Sequence, residues 1–221
     1  IQHHWAYVAS VLAEHGPAGP VIGLVADGTG YGTDGSIWGC ECMTASLDKF
    51  ERFGHLDCYS LPGADKASKE AVRPALSLLI KAFGDDFSLQ KFDWLLGRIE
   101  PDADKLQTIV EQLDKSVNCV RTSSLGRVFD AVAALLGLGG YNHFDAQLPM
   151  ALEAIVAGDV EQRYEIEILS RPGEPCRLSL DAAMRQIADE VKGGADTATI
   201  SARFHNTVSD GLLGFALACR A

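Results

Sequence analysis

The chain has 221 residues, 47% of them hydrophobic, and a formal net charge of -11, which is enough apolar content to bury a core within one large domain or two small lobes. So acidic a balance offers no basic field to hold a nucleic-acid backbone by counterion release, although a nucleotide-sized anion needs only local backbone N–H groups. No apolar run reaches the ~20 residues of a membrane span and no signal-peptide pattern opens the chain, so a cytoplasmic protein without nucleic-acid or membrane partners is expected.

In chain order, Ile1, Trp5, Val8 and Leu12 recur at helical spacing, and Gly16 followed by Pro17 ends the pattern. Strand-like runs follow at Val21–Ala26, Ser36–Thr44 and Gly54–Leu61, so closely linked that they predict an antiparallel meander. Helices are expected over Lys66–Phe83, Leu89–Ile99, Asp102–Val117 and Ser124–Leu136, the last capped by Ser123 or Ser124 and followed by Gly137, Gly139 and Gly140. A helix at Ala146–Ala157, a strand at Tyr164–Ser170 and helices at Leu180–Lys192 and Thr197–Arg220 complete the reading. The chain starts at Ile1 rather than methionine and its last helical pattern runs to Ala221 without a stop, so a piece of a longer polypeptide is expected.

The segment DGTGYG has two readings. Gly28, Thr29, Gly30 and Gly32 can form a hairpin turn with positive φ angles whose N–H groups approach a phosphate, with Asp27 at the strand end holding a metal or its water. Alternatively, it is an ordinary Asp-Gly turn. Further on, TSSLGRVFDAVAALLG places Ser124, Gly126, Arg127 and Asp130 in the first turns of a helix. That end favours an anion, and Asp130 can accept from ribose hydroxyls; a plain capped helix is the competing reading. His3 and His4 invite a metal reading, but the residue at helical i+4 spacing from His3 is Tyr7. His205 and Asn206 in ARFHNT are candidate site groups or ordinary helix polar residues. Among the six cysteines, Cys40 and Cys42 share one face of a strand, which reads as a buried pair rather than a metal or disulfide site.

Taken in order, QHHWAYVA, DGTGYGTDGSIWG, FERFGHL, LPGADKA, TSSLGRVFDAVAALLG and ISARFHNT resemble the HypF carbamoyltransferase family, the maturation factors of nickel–iron hydrogenases. The resemblance implies an α/β fold of the actin and sugar-kinase type. Residues 1–16 would be the terminal helix of a preceding lobe. Residues 17–221 would be a second ribonuclease-H-like lobe, with a mixed sheet, flanking helices and a truncated C-terminal end. It also implies an ATP-derived carbamoyl-adenylate, made from carbamoyl phosphate and ATP, whose carbamoyl group passes to the C-terminal cysteine of a HypE-like acceptor. His3 and Asp27 would be catalytic. A divalent metal of unspecified identity would sit at His3, Tyr7 and Asp27. Gly28, Thr29, Gly30, Gly32, Ser124, Gly126, Arg127, Asp130, His205 and Asn206 would bind nucleotide and phosphate. The alternative is a divergent nucleotide-binding or partner-docking module without efficient transfer.

Three departures stand out. The family's HxxxH pair reads here as His3 and Tyr7. Its Tyr-Glu-Gly-Gln segment reads HFDAQ, with Asp145 and Ala146 in place of the glutamate and glycine and Gln147 kept. The family's Ser-Gly-Gly-Val motif and late metal-binding aspartate do not occur before Ala221, and Asp210 lies in the preceding helix rather than in that role.

Overall fold

A computed structural model of the chain describes residues 1–16 and 19–220; Pro17, expected to help stop the first helix, and Ala221 lie outside them. Helix α1, His3–His15, begins where the Gln2 side chain accepts from Trp5 N and ends at Gly16, whose φ of 63° is the left-handed cap that glycine takes without strain. Its Val8 and Leu12 pack on Val25, Met43 and Ala45 in a small core of their own.

The expected meander is present as β1 (Val21–Tyr31), β2 (Ile37–Ala45) and β3 (Phe50–Leu56), paired antiparallel in sequence. Cys40 and Cys42 of β2 face the large core, while Met43 and Ala45 face the small one beneath α1. A strand covered on both faces reads as an apolar run rather than as a clean alternation.

Two strands depart from expectation. The single run expected at Gly54–Leu61 is broken: β3 ends at Leu56, and β4, Tyr59–Pro62, pairs instead with β5, Cys119–Thr122. The break falls at Asp57, whose N–H donates to Leu178 O and whose carboxylate binds Lys81 and Arg177, so the chain changes neighbours there. The strand expected at Tyr164–Ser170 shrinks to β6, Glu167–Leu169, because Tyr164 N donates to Thr207 Oγ1 instead of to a strand. β7, Cys176–Ser179, lies between β6 and β3.

The result is a seven-stranded mixed sheet in the path β4-β5-β2-β3-β7-β6, with β1 along the remaining edge of β2. Because β1 pairs with β2 from Ile37 to Ala45, β3 and β5 share the opposite edge, with β5 joined at Ile37. Helices α2 (Val72–Phe83), α3 (Leu89–Ile99), α4 (Ala103–Asp114), α5 (Leu125–Leu135), α6 (Gln147–Ala154), α7 (Asp181–Lys192) and α8 (Thr197–Arg220) flank the sheet. The expected mixed α/β class with flanking helices is therefore observed. The helix expected from Lys66 starts only at Val72, after a 3-10 turn at Ala64–Ser68.

Candidate functional site

The DGTGYG segment is not a turn. Gly28, Thr29 and Gly30 lie within β1, whose register shifts between Ala26 and Gly30, and the hairpin closes later, at Gly32–Ser36, with Gly35 at φ 79°. Gly28, Gly30 and Gly32 are absent from the positive-φ residues, so their value is close approach. A Cβ on Gly30 would fall 2.2 Å from His4 Cε1, and one on Gly126 would fall 2.8 Å from Gly28 Cα. The first contact admits α1 to the bulge; the second admits the start of α5.

Asp27 stands at that junction. Its Oδ1 accepts from Gly28 N at 2.6 Å, and its Oδ2 lies 3.3 Å from His3 Nε2 and 3.4 Å from His4 Nε2. His3 is partly exposed, whereas the His4 side chain is fully buried. Burial holds the His4 imidazole below its ordinary range against the upward pull of Asp27. Asp27 Oδ2 and His4 Nε2 are both buried without a good hydrogen bond, which fits a site that is completed by another group. Among the described residues, no three His, Cys, Asp or Glu side chains are splayed around one shared metal position. Tyr7 packs its ring edge-on against His3, 4.6 Å between centroids.

On its other side Asp27 lines a cleft of about 560 Å³ with Gly28, Thr29, Gly126, Arg127, Asp145 and Ala146. α5 aims its N-terminus into this cleft. Its cap is Ser124, whose Oγ accepts from Arg127 N and donates to Gly28 O at 2.6 Å, so the cap also pins the helix to β1. The remaining first-turn N–H groups and the helix dipole suit an anion.

Several expected site residues lie elsewhere. The Asp130 carboxylate is fully buried, bound by Arg127 Nε at 2.9 Å and Asn142 Nδ2 at 2.9 Å, and burial pushes its pKa up despite that cation. It orients Arg127 rather than facing the cleft. Gly32 packs on Trp38. His205 Nδ1 bonds Ser201 O, and its ring sits behind Phe129, which does line the cleft. Asn206 donates to Val160 O and Gln162 O.

A supporting network escaped the sequence reading. Glu41, fully buried in β2, accepts from Arg52 Nε at 2.6 Å, Ser123 Oγ at 2.5 Å and Gly39 N at 3.3 Å. Burial pushes its carboxyl up even so. The Arg52 guanidinium lies 3.9 Å over Trp38, and the Trp38 ring stacks on His4 at 6.2 Å. A glutamate inside an apolar strand was the available signal, since a buried charge requires a partner.

Comparison with known proteins gives the family. Residues 23–221 match the family model described as "Carbamoyltransferase, Kae1-like Domain, second subdomain". The chain belongs to the HypF carbamoyltransferase family. It is 33% identical over 220 residues to carbamoyltransferase HypF of Synechocystis, covering 94% of this chain and 28% of that protein. To the carbamoyltransferase HypF homolog of Cupriavidus necator it is 33% identical over 221 residues, covering 98% and 55%. A crystal structure of full-length HypF in the phosphate- and nucleotide-bound form superposes with a TM-score of 0.88 at 38% identity, covering all of this chain and 28% of that one. HypF of T. kodakarensis gives 0.84 at 30%, with 100% and 29% covered. The chain thus spans between about a quarter and about half of the relatives described.

Proposed function

We propose that this chain is the second lobe of a carbamoyltransferase that transfers the carbamoyl group of a carbamoyl-adenylate to the C-terminal cysteine of a HypE-like acceptor. The lobe assignment takes residues 1–16 as the end of a preceding lobe and residues 17–221 as the second. Carbamoyl phosphate and ATP supply the adenylate, and the setting is the cytoplasm. The observation that carries the reading is the position of Asp27, shared between a histidine pair and a cleft built for an anion.

The chemistry is acyl transfer from a mixed anhydride. The acceptor's thiolate sulfur forms a bond to the carbamoyl carbon as the bond from that carbon to the adenylate's phosphate oxygen breaks, releasing AMP. In this chain, the N–H groups at the start of α5 and the Arg127 guanidinium hold the phosphate and take up the charge that develops on it. Asp130 and Asn142 fix Arg127 in place. Gly28 and Gly126 let the β1 backbone and helix end close around the group, which orients it for attack. A divalent ion held by His3 and Asp27, with Tyr7 as the group beside them, would supply Lewis-acid polarisation and a template for the phosphate.

The test is transfer by the full-length parent protein, supplied with carbamoyl phosphate, ATP and a HypE-like acceptor and read by mass spectrometry at the acceptor's C-terminal cysteine. Carbamoylation of that cysteine by the parent, abolished in Asp27→Ala, is expected. Nucleotide binding without carbamoylation, beside an active control enzyme, would overturn the transferase reading in favour of the binding module. Wild-type transfer in Asp27→Ala would remove Asp27 from the mechanism.

A further inference from the structure

Gln2 makes three contacts whose polarity is fixed by their partners. Its Oε1 accepts from the Trp5 backbone N–H at 2.7 Å, and its Nε2 donates to Tyr31 O at 3.1 Å. A backbone N–H can only donate and a backbone carbonyl can only accept, so the amide has one allowed orientation. The third contact, 3.2 Å from Gln2 Nε2 to His4 Nδ1, is buried and takes the second amide hydrogen. His4 Nδ1 is therefore an acceptor, and the ring proton resides on Nε2. That nitrogen faces Asp27 Oδ2 at 3.4 Å and, among the described residues, has no hydrogen-bond partner. The His4 side chain is fully buried, with its Cε1–Nε2 edge against the bare Gly30 backbone and its face roughly parallel to the Trp38 ring.

We infer that His4 is a positioning residue: Gln2 locks it as the Nε2–H tautomer, so that it serves as a donor that aims the Asp27 carboxylate and not as a metal ligand. The two adjacent histidines thereby divide their work. His3 keeps its freedom to present a lone pair beside Asp27, and His4 steers that carboxylate from behind. The tautomer assignment stands on geometry alone; its consequence for an ion rests on the metal reading proposed above.

The substitution Gln2→Glu discriminates. Glutamate keeps the acceptor for Trp5 N but replaces the donor by an acceptor, so His4 must carry a proton on Nδ1, as the neutral Nδ1–H tautomer or as an imidazolium between the two carboxylates. Its Nε2 can then take an ion, directly in the first form and in exchange for a proton in the second. The first readout is the His4 13Cδ2 resonance in the metal-free, histidine-labelled full-length protein, assigned by its loss in His4→Gln. It should report Nε2–H in wild type and a protonated Nδ1, neutral tautomer or imidazolium, in Gln2→Glu; an Nδ1–H signal in wild type would overturn the inference. The second readout is Co²⁺ affinity and visible absorption. Gln2→Glu should bind Co²⁺ about tenfold more tightly with an added nitrogen ligand, His4→Phe about 10–100-fold more weakly, and His4→Gln, which retains an N–H near the Nε2 position, close to wild type. A structural lesion cannot tighten binding. If His4→Gln falls as far as His4→Phe, the donor role is overturned. If Asp27→Ala leaves Co²⁺ binding unchanged, the metal reading falls, while an Nε2–H signal in wild type still upholds the tautomer lock.

Discussion

Ala146 is the clearest case of a single residue at odds with its place. It caps α6 at φ 58°, in the left-handed region where a Cβ is strained, and the family segment it resembles carries glycine there. Ala146→Gly relieves that strain while adding unfolded-state freedom, so a net gain of about 0.5–1 kcal/mol in urea unfolding is expected. Asp34 gives a prediction in pH. Burial pushes its carboxyl up, but the Ser36 hydroxyl and N–H, the Trp38 indole and Arg52 outweigh that and hold it down to about 2 from 3.8. Because the folded state prefers the ionised form, its stabilisation is complete above about pH 4 and is lost as pH falls toward 2. Asp34→Asn should therefore be less stable than wild type near neutrality, and the gap in urea midpoint should close across that window. An undiminished gap at the acid end would contradict the assignment.

At the scale of elements, the docking of α5 on β1 decides the shape of the cleft. A Cβ on Gly126 would meet Gly28 Cα at 2.8 Å and Gly28 N at 3.3 Å, both backbone atoms that cannot swing aside. Gly126→Ala should cost about 1–3 kcal/mol by overpacking and weaken phosphate binding, measured by calorimetry, because the helix end must withdraw from the bulge. This docking also shows what was legible in the chain. Asp27, the glycines and the Ser124 cap were visible as motifs, since each is a local chemical pattern. Their conformation was misread: glycine marks either a positive φ or a close approach, and only the partner element decides between them. β5 and β7 went unseen because four-residue strands in a sheet interior have no alternation to reveal them. His4 was passed over because a helical partner for His3 was sought at i+4, where Tyr7 stands; at the first turn of α1, both histidine rings lie beside Asp27 and Gly30. Asp130 looked like a ligand group because burial cannot be read from an acidic residue in a first turn.

For the molecule as a whole, α8 shows how support can be separated from chemistry. Its Phe215 is fully buried against Gly54, and Gly211 lets Leu178 reach the helix backbone. Neither residue lines the cleft. Phe215→Ala should cost about 3–5 kcal/mol in unfolding free energy, yet leave nucleotide affinity unchanged at temperatures where the protein stays folded. A parallel loss of affinity would mean that the sheet transmits the cavity to the site. The joint between β2 and β5 carries a different consequence, one of timing. The Ile37 carbonyl accepts from both Thr122 Oγ1 and Ser123 N, a link between positions 85 residues apart. The β1–β2 hairpin can form from neighbouring chain, but the start of α5 reaches it only after that long loop has closed, and closure must be met before its contacts repay it. A growing chain on the ribosome accordingly displays Asp27 and its histidines well before the start of α5 arrives to wall the cleft beside them.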